Sequence, residues 1–354
     1  MAKEYRIQSE TKDKEKLEEL LSSLPPYVSR YVGHINFSTT PKTRLEYTRD
    51  IQTFLEYVAQ TIDGISNIKE IPVETLGALD LDFFNDYLNY LTMYRKNGQI
   101  RQNSNITVRR KLSSLRNFFS YLFINDLIPA NHIQKVKIPV VKKKNIIRMD
   151  TDETEELLSA VETGNGKMTK KQREYFDIYA PRDTALISLL LGTGIRVSEA
   201  VGLDIKDVDL KRSGVLVIRK GGKEDIAYFG DEVREIMEGY LEYRKSLEPI
   251  EGSENALFLS SRRSRITVRS VENLVKKYAG RTEILKKITP HKLRSTYGTA
   301  LYENTGDIGL VAEVLGHESV QTTKKFYTEI SDKHKFANRN AVKIGATEKP
   351  KKNF

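Results

Sequence analysis

The chain reads TPHKLR at 289–294 and LGHESVQTTKKFY at 315–327, and these two motifs bracket the stretch that decides its fold. Thr289 can cap a helix that begins with the proline after it, which puts His291 and Arg294 in the first turn, on one face. The free N–H groups and the positive dipole end of such a turn favour an anion beside it. The first motif therefore predicts a helix start that can bind an anion.

The second motif follows an apolar helical stripe. The stripe consists of Ile308, Val311, Ala312 and Leu315. Gly316 can end this helix, and His317 follows at once. Ser319 can begin a further helix that would carry Tyr327. Two histidines, an arginine and a tyrosine thus come from three successive helical pieces without metal-type spacing, which indicates a phosphate site with a tyrosine nucleophile.

Four tracts of the chain resemble the signature boxes of the tyrosine recombinases, the phage-integrase and Xer family. They are GTGIRVSEA (192–200), HKLR (291–294), LGH (315–317) and Tyr327. Their order and spacing also match, although the interval from the histidine to the tyrosine is one residue longer than in many Xer proteins. The resemblance extends over roughly residues 30 to 335, and Xer-type single recombinases are the most similar group.

The chemistry of phosphodiester transfer suggests which residues bind the phosphate. Negative charge develops on the non-bridging oxygens, and the planar guanidinium groups of Arg196 and Arg294 match it. A salt bridge to Glu199 is the alternative for Arg196, and it is compatible with the family pattern, in which the acidic residue at that position supports the site. The resemblance implies that His317 donates a hydrogen bond to the phosphoryl oxygens. It also implies that His291 contacts the phosphate or handles the tyrosine's proton.

The resemblance further implies a nucleophile and an acid. Tyr327 would attack phosphorus to give a 3′-phosphotyrosine, and Lys220 would protonate the departing 5′ oxygen. An ordinary surface-turn lysine is the alternative for Lys220, and Lys223 is its rival for the acid. Because the phosphotyrosine link conserves the energy of the phosphodiester, no ATP, metal ion or other cofactor is expected.

The same resemblance implies an assembly and a cellular task. The expected partner is double-stranded DNA with an inverted-repeat recombination site, bound by a homotetramer that exchanges strands through a Holliday junction. An accessory protein is a further expected partner, and the expected location is the cytoplasm, at the nucleoid. The leading function is Xer-type resolution of chromosome or plasmid dimers. Integration or excision of a mobile element, a catalytically inert DNA-binding protein and a type IB topoisomerase are the alternatives.

Composition limits the class of protein. The 354 residues suffice for two domains, and no apolar run approaches the roughly 20 residues of a membrane span, so no membrane partner is expected. The charged N-terminus lacks an apolar secretory segment. The absence of cysteine excludes disulfides and thiolate metal sites. Lysine and arginine number 58 against 48 acidic residues, a formal charge of +10 that favours a nucleic-acid partner over mere solubility.

The predicted fold is mainly α, a two-domain DNA clamp. Its N-terminal part is a helical core-binding (SAM-like) domain, and its catalytic part is a mixed α/β domain with a small antiparallel sheet. The predicted segments are an N-terminal extension or docking helix (1–24), the core-binding domain (25–133), a basic linker (134–149), the catalytic domain (150–330) and a tail (331–354). The tail is either a segment that docks on a neighbouring protomer or a frayed basic end.

Helices in the core-binding domain are expected after Thr40, over 80–94 and over 104–125. On the last of these, Arg109, Ser113 and Arg116 share a face other than that of the apolar stripe, and the helix after Thr40 shows the same division of faces. The candidate DNA contacts on these helices and on the linker are Lys42, Arg44, Arg109, Ser113, Arg116, Lys142 and Lys143. A solvated helix face is the alternative.

The elements expected in the catalytic domain begin with a helix capped by Thr151, followed by a polar loop over 165–173. An apolar helix over 183–191 is broken by the glycines at 192–194, just before Arg196. A hairpin of strands 214–220 and 224–229, closed by Gly221 and Gly222, completes the sheet.

Overall fold

The computed structural model describes residues 2–96, 98–141, 148–165, 168–317 and 319–321. The chain forms two compact units, residues 6–144 (the N-terminal unit) and residues 1–5 together with 145–354 (the C-terminal unit). Lys142, Lys143 and Tyr327, like the predicted tail, lie outside the described residues. Within the described part, no helix is both long and apolar enough to cross a membrane.

The N-terminal unit is built from helices. They are α1 (Ala2–Ser22, whose first residues belong to the other unit), α2 (Pro26–His34), α3 (Pro41–Thr61), α4 (Val73–Gly77), α5 (Leu81–Thr92) and α6 (Asn105–Ile124). A short antiparallel hairpin, β1 (Met93–Lys96) with β2 (Gln99–Gln102), connects α5 to α6.

The predicted helix starts of this unit are confirmed, and aromatic residues fill its core. The Thr40 hydroxyl accepts the N–H of Thr43 at the start of α3, and Ser104 caps α6 in the same way. The buried ring of Phe54 lies 5.9 Å from that of Phe84 and 5.6 Å from that of Phe119. Because these rings come from α3, α5 and α6, their contacts hold the three helices around one core.

The prediction of a helix over 80–94 is wrong at its C-terminal end. Helix α5 stops at Thr92, and Tyr94 pairs with Arg101 in the hairpin. The Asn103 side-chain amide donates to the Leu91 carbonyl at 2.9 Å. This contact satisfies one of the carbonyls that a helix end leaves without a partner, so the backbone can leave the helix and form the strand.

The C-terminal unit surrounds one long helix. Its helices are α7 (Thr151–Thr163), α8 (Lys170–Thr193), α9 (Val197–Gly202), α10 (Asp231–Lys245), α11 (Val268–Ala279), α12 (Pro290–Thr305) and α13 (Ile308–Val314). Helix α8 packs against α7, α10 and α12, and its second half is almost entirely buried. The antiparallel sheet has the order β3 (Val208–Asp209), β4 (Gly214–Ile218), β5 (Glu224–Tyr228).

The predicted hairpin of this unit is confirmed, as is the mainly helical class with a small antiparallel sheet. Two local predictions are wrong. Asp150, not Thr151, caps α7, because its carboxylate accepts the N–H of Glu153 while Glu153 accepts the N–H of Asp150. The expected polar loop over 165–173 already turns into α8 at Lys170, because Thr169 forms a similar capping box with Gln172.

Candidate active site

Arg196 lies at the break between α8 and α9, as predicted. Helix α8 ends at Gly194 in the left-handed conformation (φ 62°), where a Cβ would collide with the Tyr297 ring. Arg196 then caps α9, and the buried Glu199 carboxylate accepts both its backbone N–H at 2.7 Å and its Nη1 at 2.9 Å. The predicted Arg196–Glu199 pair is therefore present, with the Arg196 side chain still 35% exposed.

Arg294 is the fifth residue of α12 and is 5% exposed. Its Nη1 donates to the Gly194 carbonyl at 2.7 Å, and its Nη2 donates to the Leu315 carbonyl. A single buried guanidinium thus connects the break before Arg196 with the end of α13. Three segments that sequence reasoning expected to meet are joined at this side chain.

The end of α13 is a Schellman motif, and it sets the position of His317. The His317 N–H donates to the Ala312 carbonyl at 2.9 Å, and the Gly316 N–H donates to the Glu313 carbonyl at 2.8 Å. Gly316 occupies the left-handed position between them (φ 58°). This pattern of bonds requires a residue that tolerates positive φ, so the predicted helix end at Gly316 is confirmed.

Three successive carbonyls at this helix end each accept a hydrogen bond from a different arginine. Val314 accepts from Arg219 at 2.9 Å, Leu315 from Arg294, and Gly316 from Arg196 at 3.0 Å. The last carbonyls of a helix have no partner within it and form the negative end of its dipole, so they attract cations. The geometry therefore collects three guanidinium groups at the helix end that His317 directly follows.

Sequence reasoning missed Arg219. This arginine directly follows strand β4 and is 6% exposed. Its Nη1 donates to Glu199 at 2.9 Å and its Nε to Asp225 at 3.0 Å. The alternation of buried and exposed residues along β4 could have indicated this arginine, because residues 215, 217 and 219 all face inward. A buried arginine requires polar partners, and Glu199 in the motif at 192–200 was a candidate.

Burial and the surrounding cations keep both histidines of the site neutral. Burial, followed by the charges of Arg294 and Arg196, lowers the pKa of His317 to about 4. Partial desolvation and the charges of Lys292, Arg294 and Arg196 also lower the pKa of His291. Near pH 7 each imidazole therefore offers one N–H donor and one nitrogen acceptor, and neither carries charge.

Lys220 lies at the exposed turn of the β4–β5 hairpin, in a single 3-10 turn over Lys220–Gly222. Both glycines of the turn have positive φ (81° and 87°), which an L side chain rarely adopts. The chain can therefore reverse directly after Lys220. Residues 320 and 321 are helical, as expected after Ser319, but Tyr327 itself lies outside the described residues.

The candidate DNA contacts of the N-terminal unit differ in exposure. Lys42, Arg109 and Ser113 are exposed. The prediction for Arg44 is wrong, because this residue is 5% exposed and its Nη1 donates to the Asn36 and Thr39 carbonyls at 2.9 and 2.7 Å. It fixes the loop before α3 and is not presented to a ligand.

Arg116 also has an internal role that its place on the helix face did not reveal. Its guanidinium donates to the carbonyls of Ile133, Gln134 and Val136. These bonds attach the segment after α6 to the helix. Of the three predicted contacts on α6, Arg109 and Ser113, which lie seven and three residues earlier, are the exposed ones.

Comparison with known proteins by sequence gives matches along most of the chain. Residues 148–334 match the Phage integrase family, and residues 23–138 match the Phage integrase SAM-like domain. The tyrosine recombinase XerS of Streptococcus agalactiae is 32% identical over 349 residues, which cover 91% of this chain and 97% of that protein. XerS of Streptococcus pneumoniae is 31% identical with the same coverage of both chains.

Solved structures share the fold at lower identity. The Tn1549 transposon integrase in complex with transposon right end DNA superposes with a TM-score of 0.63 and 22% identity, covering 89% of this chain and 99% of that one. The XerH site-specific recombinase bound to its difH substrate gives a TM-score of 0.60 and 21% identity, with coverages of 93% and 94%. Since the family match spans more than half of the chain and the XerS relatives nearly all of it, the chain belongs to the phage integrase family and is a tyrosine recombinase.

Proposed function

We propose that the protein cleaves and rejoins double-stranded DNA at a specific site through a 3′-phosphotyrosine on Tyr327. The observation that carries this proposal is the set of three arginines held by successive carbonyls at the end of α13, beside His317. Such a set concentrates positive charge, and the buried acid that it contacts among the described residues is Glu199. A scissile phosphate is the ligand that this charge and these donors fit.

Arg196 and Arg294 bind the non-bridging oxygens in this proposal, and Glu199 orients Arg196. The partly exposed Arg196 side chain can turn one edge of its guanidinium towards a phosphate while the other edge stays on Glu199. His317, neutral because of the cations around it, donates one N–H to a phosphoryl oxygen. The pentavalent transition state carries more negative charge than the diester, so these donors stabilise it most.

Proton transfer completes the reaction. The Tyr327 oxygen forms a bond to phosphorus as the bond from phosphorus to the 5′ oxygen breaks. The phenol proton passes to a base, and neutral His291 has the nitrogen acceptor that this needs. The Lys220 ammonium gives a proton to the departing 5′ oxygen. The 5′ hydroxyl of another strand then attacks the phosphotyrosine, which restores the diester and the phenol.

We infer that the N-terminal unit grips the duplex through the exposed face of Lys42, Arg109 and Ser113, together with Lys142 and Lys143 of the linker. The excess of ten positive charges supports a partner of this kind. In this proposal the core-binding domain over 25–133 binds the duplex, and the catalytic domain over 150–330 carries out the cleavage and rejoining. The tail over 331–354 would then dock on a neighbouring protomer.

The relatives named XerS favour one cellular task, the resolution of chromosome or plasmid dimers. In this proposal four protomers assemble on two inverted-repeat sites and exchange strands in pairs through a Holliday junction. An accessory protein on the same DNA would set the order of exchange. The substrate would place the protein at the nucleoid.

One experiment tests the chemistry and finds the site. Wild-type and Tyr327→Phe protein are mixed with fragmented source-genome DNA in EDTA, the mixture is denatured, and DNA linked to protein is sequenced. We expect adducts with wild type only, clustered at one inverted-repeat locus. Equal adducts with the phenylalanine variant would refute the nucleophile, and no adducts at all would refute the proposal for the protein alone.

The position of the adducts separates the alternatives. A locus at the replication terminus supports dimer resolution, and a locus at the end of a mobile element would replace that task with integration or excision. Adducts scattered over the genome would point to a type IB topoisomerase.

A further inference from the structure

Arg219 has no role in the proposed reaction, yet its contacts join three separate segments of the site. Its guanidinium contacts Glu199, the residue that orients Arg196, and the Val314 carbonyl, three residues before His317. Its Nε binds Asp225 on the neighbouring strand β5. All five N–H groups of a guanidinium lie in one plane, so these three partners fix the side chain completely.

The backbone of Arg219 also closes the turn that carries Lys220. Its N–H donates to the Lys223 carbonyl at 2.8 Å, and its own carbonyl accepts the Gly222 N–H at 3.1 Å. Lys220 follows immediately. The orientation of the turn relative to the helix end therefore depends on where the Arg219 guanidinium is held.

Gly316 shows how closely the two segments approach. A Cβ built on Gly316 would lie 3.0 Å from both Cδ and Nε of Arg219, and 3.4 Å from its Cζ. The arginine side chain therefore packs directly against the backbone beside His317. A hairpin that moved away from α13 would have to break this packing together with the bonds to Glu199 and Val314.

The polar connections of Arg219 come at an energetic cost. Placing a guanidinium at 6% exposure costs desolvation energy, and an apolar side chain of similar volume fills such a position without that cost. An apolar side chain, however, could not bind a carboxylate and a carbonyl from two separate segments. The polar connections are thus the feature that distinguishes arginine at this position.

We propose that Arg219 is a positioning residue that holds the hairpin turn against the end of α13, so that Lys220 reaches the departing 5′ oxygen of a phosphate bound by Arg196, Arg294 and His317. This inference rests on the proposed function, because it takes Lys220 as the acid. The bond that breaks is still the one from phosphorus to the 5′ oxygen, and the proton still comes from Lys220. Arg219 acts only through the position of that lysine.

A substrate that needs no acid tests the inference. The inverted-repeat duplex recovered by adduct sequencing is synthesised with an ordinary diester at the cleaved position and, separately, with sulfur in place of the 5′ bridging oxygen. A thiolate leaves without protonation, so a defect in acid catalysis disappears on the sulfur substrate. Single-turnover cleavage of both is measured for wild type, Lys220→Ala, Arg219→Met and Arg219→Lys.

We expect Arg219→Met to cleave the oxygen substrate about 10- to 100-fold more slowly than wild type and the sulfur substrate within about threefold of it. Arg219→Lys keeps the charge but not the planar fork, so we expect a smaller loss with the same recovery. This variant also serves if the methionine variant does not fold. Equal losses on the two substrates would overturn the proposal.

Two controls separate this result from other causes. Arg244 is another arginine of the C-terminal unit, 3% exposed, and it donates to the Ala256 and Glu254 carbonyls away from the site. Arg244→Met is expected to leave the ratio of the two rates unchanged; a ratio shifted as in Arg219→Met would overturn the proposal. If Lys220→Ala is not rescued by sulfur, the acid assignment fails and the inference fails with it. If Lys220→Ala is rescued and Arg219→Met is not, only the inference fails.

Discussion

The two units each contain a cluster of buried charge, and the clusters use their cations differently. In the N-terminal unit, the Asp50 carboxylate is 1% exposed and accepts hydrogen bonds from Arg110, Lys111 and Ser114. This cluster ties α3 to α6. Its two cations are oriented by a carboxylate at contact distance, which cancels much of their field.

In the C-terminal unit, carbonyl groups take a larger part in the orienting. Arg294 donates to two of them, and Arg196 and Arg219 each donate to a further one. Arg196 and Arg219 also share Glu199, and Arg219 binds Asp225 as well. A carbonyl fixes the plane of a guanidinium without a full negative charge. The comparison of the two clusters teaches that a carbonyl leaves more of a cation's charge uncancelled than a carboxylate does, so that in the proposed reaction Arg294 can still attract a phosphate.

The largest expected effect comes from removing Arg294, which donates to the Gly194 and Leu315 carbonyls. We expect Arg294→Ala to slow DNA cleavage about 1000-fold at saturating DNA, because it removes a donor to the transition state. DNA affinity should change much less, since many other phosphate contacts supply it. Single-turnover cleavage and a binding titration measure the two effects.

The control for Arg294 is Arg244→Ala, which also deletes a buried arginine bound to carbonyls. It should reduce stability without slowing cleavage by the folded protein. If Arg294→Ala and Arg244→Ala slowed cleavage equally, the loss at Arg294 could not be assigned to a catalytic role.

The second largest effect should fall on stability, in the other cluster. We expect Asp50→Asn to lower the free energy of unfolding by about 3 kcal/mol, because Lys111 and Arg110 would keep their places without a countercharge. Glu46→Gln, which removes an exposed pair with Arg49, should change it by less than about 0.5 kcal/mol. Urea unfolding of the full chain measures both, and equal effects would contradict the importance of burial.

A smaller effect should follow from adding one methyl group at the end of α13. Gly316→Ala brings a Cβ to within 3.0 Å of Arg219 at a positive φ, whereas Gly252→Ala meets the same backbone strain with open space around it. We expect each to cost about 1 kcal/mol of stability. Only Gly316→Ala should slow cleavage, by about tenfold, since only it displaces Arg219. Equal cleavage by the two variants would show that the contact has no catalytic consequence.

A further effect is on the pH dependence of stability. Because the folded pKa of His317, about 4, lies below its ordinary value near 6.5, the unfolded chain takes up the proton first. This contribution to stability is complete above about pH 6.5 and is lost as the pH falls towards 4. Proton NMR of the imidazole gives the pKa directly, and His317→Gln should remove this part of the pH dependence. A titration midpoint near 6.5 would contradict the cationic surroundings described for the site.

Local signals in the sequence predicted the part of the site that depends on short-range geometry. Gly316 after an apolar helix predicts a helix end, and that end fixes His317. The three-residue spacing of Arg196 and Glu199 likewise predicts a contact that the first turn of a helix provides. In both cases the partners lie within one turn of each other.

Contacts over long separations were not accessible in the same way. Arg219 meets Val314 across 95 positions, and Arg44 is buried because its loop folds back over it, which its polar helix face did not show. The hairpin between α5 and α6 was also missed, because Tyr94 continues the helical pattern of α5 and only the pairing with Arg101 decides against it. The pattern of residues along the chain does not show which of several competing partners a residue will contact.

The use of main-chain acceptors at the end of α13 has a consequence for which mutations the protein tolerates. Every residue type has a carbonyl, so most side chains along α13 can be exchanged without removing an anchor for the arginines. A single-residue insertion within α13 is different, because it rotates everything beyond it by about 100° around the helix axis. All three guanidinium groups would lose their acceptors in one event. In α13 the number of residues is therefore more tightly constrained than their identity.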